Sequence, residues 1–126
     1  MKMLLVVAAG GALGAMARYG TVVAVGRLTG IGGFPWGTVA VNLAGSLVLG
    51  LLIGALAHGL HLSQEARGLI VVGFLGAFTT FSTFSLDAVT LIERGQWWPA
   101  FAYAAGSAVA GIGLFFVGLR AWRFFA

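Results

Sequence analysis

The chain has 126 residues, of which 60% are hydrophobic and 8% are charged, and its mean hydropathy is +1.05. A soluble domain carries about 25% charged residues, so this composition excludes an ordinary soluble protein and indicates one integral membrane domain, residues 1–126. The net charge of +4 reflects a scarcity of acids, which argues against a nucleic-acid surface, and the absence of cysteine excludes disulfides and Cys-ligated metals.

Four apolar stretches each have about the 20 residues that a helix needs to cross a bilayer. We place these spans at 3–26, 36–57, 67–92 and 98–120. The start of the chain resembles a signal peptide, but its apolar pattern continues to Val25, so we interpret it as an uncleaved first span. The sequence thus predicts an all-α integral membrane protein with four transmembrane helices per subunit.

The first two spans each contain a polar residue that is costly in lipid. Arg18, in the first span, is either a residue that snorkels to the interface or a fixed positive charge at a water-filled mouth. Asn42, in the second span, lies one turn after Thr38. Its amide either joins two helices or donates a hydrogen bond to an anion, and the spacing alone leaves both roles open.

The third span contains the most informative segment, residues 73–85, in which two glycines precede a run of hydroxyl and aromatic residues. Gly73 and Gly76 weaken a helix, and the hydroxyls of Thr79 and Thr80 can bond the backbone. A helix that breaks inside a membrane is tolerated only where it is buried in protein or lines a cavity. We therefore predict a break over residues 76–80.

Aromatic and hydroxyl side chains recur along this segment and into the fourth span. Phe78, Phe81 and Phe84 form a stripe at every third residue, which is either packing or a row of ring edges that could face an anion. Hydroxyl side chains repeat at helical spacing on both spans. They either bond the backbone of their own helices or form a polar track. These residues are Thr79, Ser82, Thr83, Ser85, Tyr103 and Ser107.

Small residues spaced four apart indicate close helix packing, either within the subunit or between subunits. The pairs are Gly10 with Gly14 and Gly50 with Gly54, and the last span has a row of Ala102, Gly106 and Ala110.

Charges at the span ends are nearly balanced between the two sides of the membrane. Four basic residues fall on the side of the N-terminus (Lys2, Arg67, Arg120, Arg123) and two on the other (Arg27, Arg94). This is a weak positive-inside signal. Together with a size of half a typical transporter, it suggests two copies inserted in opposite orientations, although charge counting alone leaves open a parallel oligomer with its N-terminus inside.

No span carries a carboxylate at its middle, the nearest being Asp87, and the sequence has no nucleotide-binding loop, catalytic triad or metal-ligand cluster. Proton-coupled exporters generally need a buried acid or histidine. We therefore expect a protein that is not an enzyme.

Three segments, in order, resemble the signatures of the Fluc (CrcB) family of fluoride channels. They are Gly14-Ala15-Met16-Ala17-Arg18-Tyr19, Gly37-Thr38-Val39-Ala40-Val41-Asn42-Leu43-Ala44-Gly45 and residues 73–84. The resemblance extends over the whole chain in length, span number and motif spacing. It departs slightly at Ser46, where an aromatic residue is often found, and at Phe78, where a small residue is common.

The resemblance implies an antiparallel, dual-topology homodimer with two fluoride pores, located in the inner (plasma) membrane. By this resemblance the pore residues are Asn42, Phe81, Phe84, Ser82, Thr83, Ser107 and Tyr103. Arg18 falls on the family's vestibule arginine. The backbone carbonyls of Gly76 and Thr79 from both subunits would hold a structural sodium ion, the one cofactor implied.

We therefore expect a channel that passively exports fluoride and protects the cell from its toxicity. The main alternative is a small four-span multidrug exporter of dual topology, which needs a membrane-buried carboxylate in its first span, where this chain has Arg18. A membrane assembly subunit without transport activity is a further alternative.

Overall fold

The computed structural model describes residues 1–30 and 32–124, and this part of the chain is helical with no strand. Three long helices are continuous: α1 (Lys2–Thr29), α2 (Trp36–Ala57) and α6 (Trp97–Ala121). The remaining helices form an interrupted third span, Gln64–Glu93. All four are long and apolar enough to cross a membrane, which confirms the predicted number of spans.

The third span is built from four pieces. It begins as α3 (Gln64–Arg67), which Ser63 caps by accepting a 3.1 Å hydrogen bond from Ala66 N–H. It continues through a π-helical stretch, Gly68–Leu75, into the short α4 (Gly76–Phe78). Two extended residues then separate it from α5 (Phe81–Glu93). The break that the sequence predicts is therefore present.

The break lies within the predicted residues 76–80 but is shorter, because the glycines remain helical. Thr79 (φ −82°, ψ 158°) and Thr80 (φ −152°, ψ 121°) leave the helical region, whereas Gly76 keeps it (φ −62°, ψ −34°). Gly73 lies within the π-helical stretch and packs against the backbone of α1 at Val7 and Gly10. The threonines, and not the glycines, therefore mark where the helix stops.

Glycines let the helix backbones approach closely. A side chain at Gly10 would collide with the carbonyl of Leu69, and one at Gly14 would collide with that of Phe74. Gly50 lies in the same way against the carbonyl of Phe115 on α6. The two predicted glycine pairs therefore pack within one subunit. A Cβ built at Gly106, in the third predicted row, would meet no described atom within 4 Å outside its own helix.

Polar contacts join the helix ends at both sides of the bundle. At one end Lys2 Nζ lies 3.1 Å from Glu65 Oε1. At the other end Arg94 donates a 2.8 Å hydrogen bond to the carbonyl of Gly32. The α5–α6 connection closes with Gly95 at φ 72°, a conformation that disfavours other residues. The N-terminus and the start of the third span therefore share one side, as the charge count assumed.

We predict that Gly14→Ala destabilises the protein by about 1–3 kcal/mol, the usual cost of overpacking, because the new methyl group meets the Phe74 carbonyl. Gly11→Ala is the matched control, since a Cβ at Gly11 has no neighbour within 4 Å and alanine favours a helix. The measurement is thermal unfolding of each purified variant in the same detergent. Equal melting temperatures for the two variants would contradict the packing described for α1.

Candidate functional site

The helix break is held by the side chain of Asn42, which projects from the adjacent α2. Asn42 Oδ1 accepts a 2.8 Å hydrogen bond from Thr80 N–H, and Asn42 Nδ2 donates a 3.1 Å hydrogen bond to the Thr80 carbonyl. The amide thus replaces the helical partners that an extended residue loses. Since a primary amide carries two N–H groups, one of them remains available. Asn42 therefore joins two helices without using its full donor capacity.

The hydroxyls at the break satisfy backbone groups and also bond each other. Thr79 Oγ1 donates to the Leu75 carbonyl at 3.0 Å, and Thr80 Oγ1 caps α5 by accepting from Thr83 N–H at 3.2 Å. Thr80 Oγ1 also lies 3.1 Å from Thr83 Oγ1 and 3.5 Å from Ser82 Oγ. The structure thus brings Ser82 and Thr83, two predicted pore residues, into one hydroxyl cluster with Thr80.

The break changes the partners of two backbone carbonyls. Thr80 N–H bonds Asn42 and not the carbonyl of Gly76, four residues before it. The Thr79 carbonyl accepts a long, 3.4 Å hydrogen bond from Arg18 Nη1. Arg18 therefore lies beside the break.

The aromatic residues that follow the break form a continuous row. The rings of Phe81 and Phe84 are 5.6 Å apart, and that of Phe84 is 5.1 Å from the ring of Tyr103. Phe81 is 79% exposed although it lies within a membrane span. Phe78 instead stacks on Phe74 and stays on the other side of the break. The predicted stripe of three phenylalanines is therefore divided in two.

A carboxylate that sequence reasoning left without a role organises the far end of this row. Asp87 Oδ2 accepts a 2.6 Å hydrogen bond from Thr38 Oγ1 and a 3.1 Å hydrogen bond from the Tyr103 hydroxyl. Thr38 is 4% exposed and Tyr103 is 1% exposed. The signal was available, because an acid within a span is a functional candidate by default. Ser107, one turn after Tyr103, has no hydrogen bond to the described residues.

Two cavities lie along these polar groups. The first, which we call the break chamber, has a volume of about 330 Å³ and is lined by the polar residues Asn42, Ser46, Thr79 and Thr80. Its apolar lining includes Leu49, Leu75, Phe81 and Phe115.

The second, which we call the outer cavity, has a volume of about 520 Å³ and lies between the end of α1, the following connection and α5. Its polar lining includes Arg27, Thr38, Thr83 and Asp87.

The hydrogen bond between Thr80 and Thr83 connects the two cavities, because Thr80 lines the break chamber and Thr83 lines the outer cavity. Hydroxyl and amide donors therefore follow one another from Asn42 to Thr38. The described residues contain no group of three or more acidic, histidine or cysteine side chains that could hold a metal. The arrangement places hydroxyl groups beside both cavities and the Asn42 amide beside the break chamber.

Comparisons with known proteins give similarity over nearly the whole chain. A family model described as CrcB-like protein, Camphor Resistance (CrcB), matches residues 5–119. A protein of Rhodospirillum centenum, described as fluoride-specific ion channel FluC, is 50% identical over 123 residues, which cover 98% of this chain and 97% of that protein.

Two further relatives carry the same description. The protein of Chelativorans sp. is 51% identical over 119 residues, covering 94% of each chain. The protein of Nitrobacter winogradskyi is 48% identical over 120 residues, covering 95% of this chain and 94% of its own.

We predict that Asp87→Ala lowers stability more than Asp87→Asn does. Alanine leaves the hydroxyls of Thr38 and Tyr103 without their acceptor, at about 1–3 kcal/mol for each unsatisfied group, whereas asparagine keeps one acceptor oxygen. Thermal unfolding of both variants in detergent gives the comparison. If the two variants unfold at the same temperature as the unmodified protein, Asp87 does not organise this cluster.

Proposed function

The chain belongs to the CrcB family, and we infer that it is a fluoride-specific ion channel that passively exports fluoride and thereby protects the cell from fluoride toxicity. The observation that carries this function is near-full-length identity of 48–51% to relatives described as fluoride-specific ion channels. The protein is accordingly not an enzyme. The multidrug-exporter alternative needs an acid in the first span, and α1 contains Arg18 and no acidic residue.

The pore chemistry that we propose follows from the hydration of fluoride. A small, strongly hydrated anion crosses only where protein donors replace its water. The second N–H of Asn42 and the hydroxyls of Ser82 and Thr83 supply such donors. Phe81 and Phe84 present ring edges, which carry the positive part of the aromatic quadrupole, so they attract an anion without trapping it as a full charge would.

The remaining proposed residues extend this path in both directions. Tyr103 and Ser107 continue it along α6, where they are one turn apart. Arg18 contributes a fixed positive charge beside the break that raises the local concentration of anions. Each residue acts through charge or hydrogen bonding, so the proposal requires no proton relay and no chemical step.

Efflux from liposomes tests the function directly. We expect liposomes that contain the purified protein to release trapped fluoride, measured with a fluoride electrode, and to retain chloride and cationic drugs. Asn42→Asp replaces the amide donors by acceptors and a negative charge, so fluoride release should fall to the rate of protein-free liposomes. Release of a drug and not of fluoride would support the exporter, and release of neither would support a subunit without transport activity.

We further propose that the channel is an antiparallel homodimer in the inner membrane. Two surface features support it: Phe81 is largely exposed, and no described residue packs against Gly106. The weak charge bias of four basic residues against two makes both orientations accessible. A second, inverted copy would cover these surfaces and complete two pores.

The antiparallel arrangement predicts a specific pattern of complementation. Lysines added at the N-terminus should fix one orientation and abolish fluoride resistance in cells, whereas lysines added to the Arg94–Gln96 connection should fix the other. Co-expression of the two locked variants should restore resistance. A variant shown to have a single orientation that still exports fluoride alone would rule out the antiparallel dimer.

We also propose a structural sodium ion at the break. The donor chemistry fits, since carbonyl oxygens are hard acceptors and the break diverts the usual partner of the Gly76 carbonyl. Arg18 is the feature that fits least, because its guanidinium lies 3.4 Å from the Thr79 oxygen. A cation there would be held by Gly76 and Thr79 from both subunits and would fix the dimer, and Arg18 would have to give up its bond.

Sodium removal tests this site. Protein prepared in a large organic cation should lose fluoride flux and regain it when sodium is added. Lithium and potassium additions serve as controls for ionic strength. Full fluoride flux in the absence of sodium would show that Asn42 and the threonine hydroxyls stabilise the break without an ion.

A further inference from the structure

The break chamber has, besides Asn42, a second side-chain donor on α2 that the proposed pore does not use. Ser46 lies four residues after Asn42, so the two side chains share one face of α2, and both line the chamber. Ser46 is half-buried at the level of the break. The chamber therefore has two side-chain donors of α2 on the same wall.

The hydroxyl of Ser46 differs from five other serine and threonine hydroxyls of this chain, which bond their own backbone. Each of these five hydroxyls donates to the carbonyl four residues before it, at 2.8–3.0 Å; they belong to Thr21, Thr29, Thr79, Ser85 and Thr90. Ser46 makes no such bond to Asn42, nor a bond to any other described residue, although it also lies within a helix. The hydroxyl of Ser46 is therefore available to a partner outside these residues.

The Ser46 oxygen is also reachable from the chamber. Among the described residues no fully buried side-chain oxygen or nitrogen lacks a partner, so the unpaired Ser46 Oγ retains some exposure. Gly111, on the facing α6, leaves room beside it, because a Cβ built there would lie 3.5 Å from Ser46 Oγ. Phe115, one turn after Gly111, lines the same chamber.

We propose that Ser46 is a further anion-binding residue of the break chamber, where its hydroxyl and the second N–H of Asn42 hold a small hydrated anion. The proposal rests on the proposed function and identifies that anion as fluoride. Ser46 and Asn42 each provide one hydrogen, and Phe81 adds a ring at the chamber wall. The facing Gly111 keeps the chamber open on the side of α6.

The test moves the hydroxyl from one helix to the other. Ser46→Ala should lower fluoride efflux from liposomes about fivefold, the ratio that corresponds to one hydrogen bond of about 1 kcal/mol. The double variant Ser46→Ala with Gly111→Ser returns a hydroxyl to the same part of the chamber and should restore most of the flux. The double variant Ser46→Ala with Gly111→Ala adds the same Cβ without the oxygen, so it should not restore the flux.

Two controls separate binding from packing. Ser85→Ala removes a hydroxyl that donates to its own helix at the Phe81 carbonyl, and it should conduct as the unmodified protein does. If Ser46→Ala does not fold, Ser46→Cys keeps the size with a weaker donor and should show the same loss of flux. Melting temperatures of all variants are measured alongside.

The outcomes are distinct. The proposal is supported if Ser46→Ala loses fluoride efflux and if serine at position 111, but not alanine, restores it. Normal flux in Ser46→Ala, or equal rescue by both residues at position 111, overturns it and leaves the fluoride channel intact. An unmodified protein that does not release fluoride overturns the proposed function and this inference together.

Discussion

The pairing between the Asn42 side chain and the backbone of Thr80 is the interaction on which the rest of the site depends. In a bilayer, water cannot satisfy backbone groups, so an extended residue inside a span needs a protein partner for both its N–H and its carbonyl. Asn42 supplies both, at 2.8 Å and 3.1 Å. Without that amide, the break would either close into a helix or carry unsatisfied groups at about 1–3 kcal/mol each.

The same pairing fixes the direction in which α5 leaves the break. Because Thr80 is held extended, its hydroxyl is free to cap α5 and to contact Thr83, and the row from Phe81 to Tyr103 follows. At the far end Asp87 holds Tyr103 against α5. The residues proposed to line the pore therefore also hold the structure together, so a loss of flux in a variant is informative only beside its stability.

The sequence was sufficient for the four spans, the break and the hydroxyl cap, because hydropathy and threonine chemistry are local properties. The predicted break, residues 76–80, contains the observed one but begins too early, since Gly73 and Gly76 look like helix breakers and yet serve close contact with α1 or remain helical. That distinction depends on which helix lies alongside. For the same reason the sequence could not show that Asp87, on α5, bonds Thr38 on α2 and Tyr103 on α6. Nor could it show that the Ser46 hydroxyl lacks a partner.

The central claim is that Asn42 uses one amide hydrogen to hold the break and offers the other to fluoride. The two hydrogens of a side-chain amide give separate NMR signals, so a fluoride titration of Asn-labelled protein in lipid tests the claim most directly. Our account predicts that fluoride leaves unchanged the NMR signal of the amide hydrogen that bonds the Thr80 carbonyl. The signal of the other amide hydrogen should shift with fluoride and not with chloride. Equal shifts of both hydrogens, or no shift in protein that conducts fluoride, would contradict it.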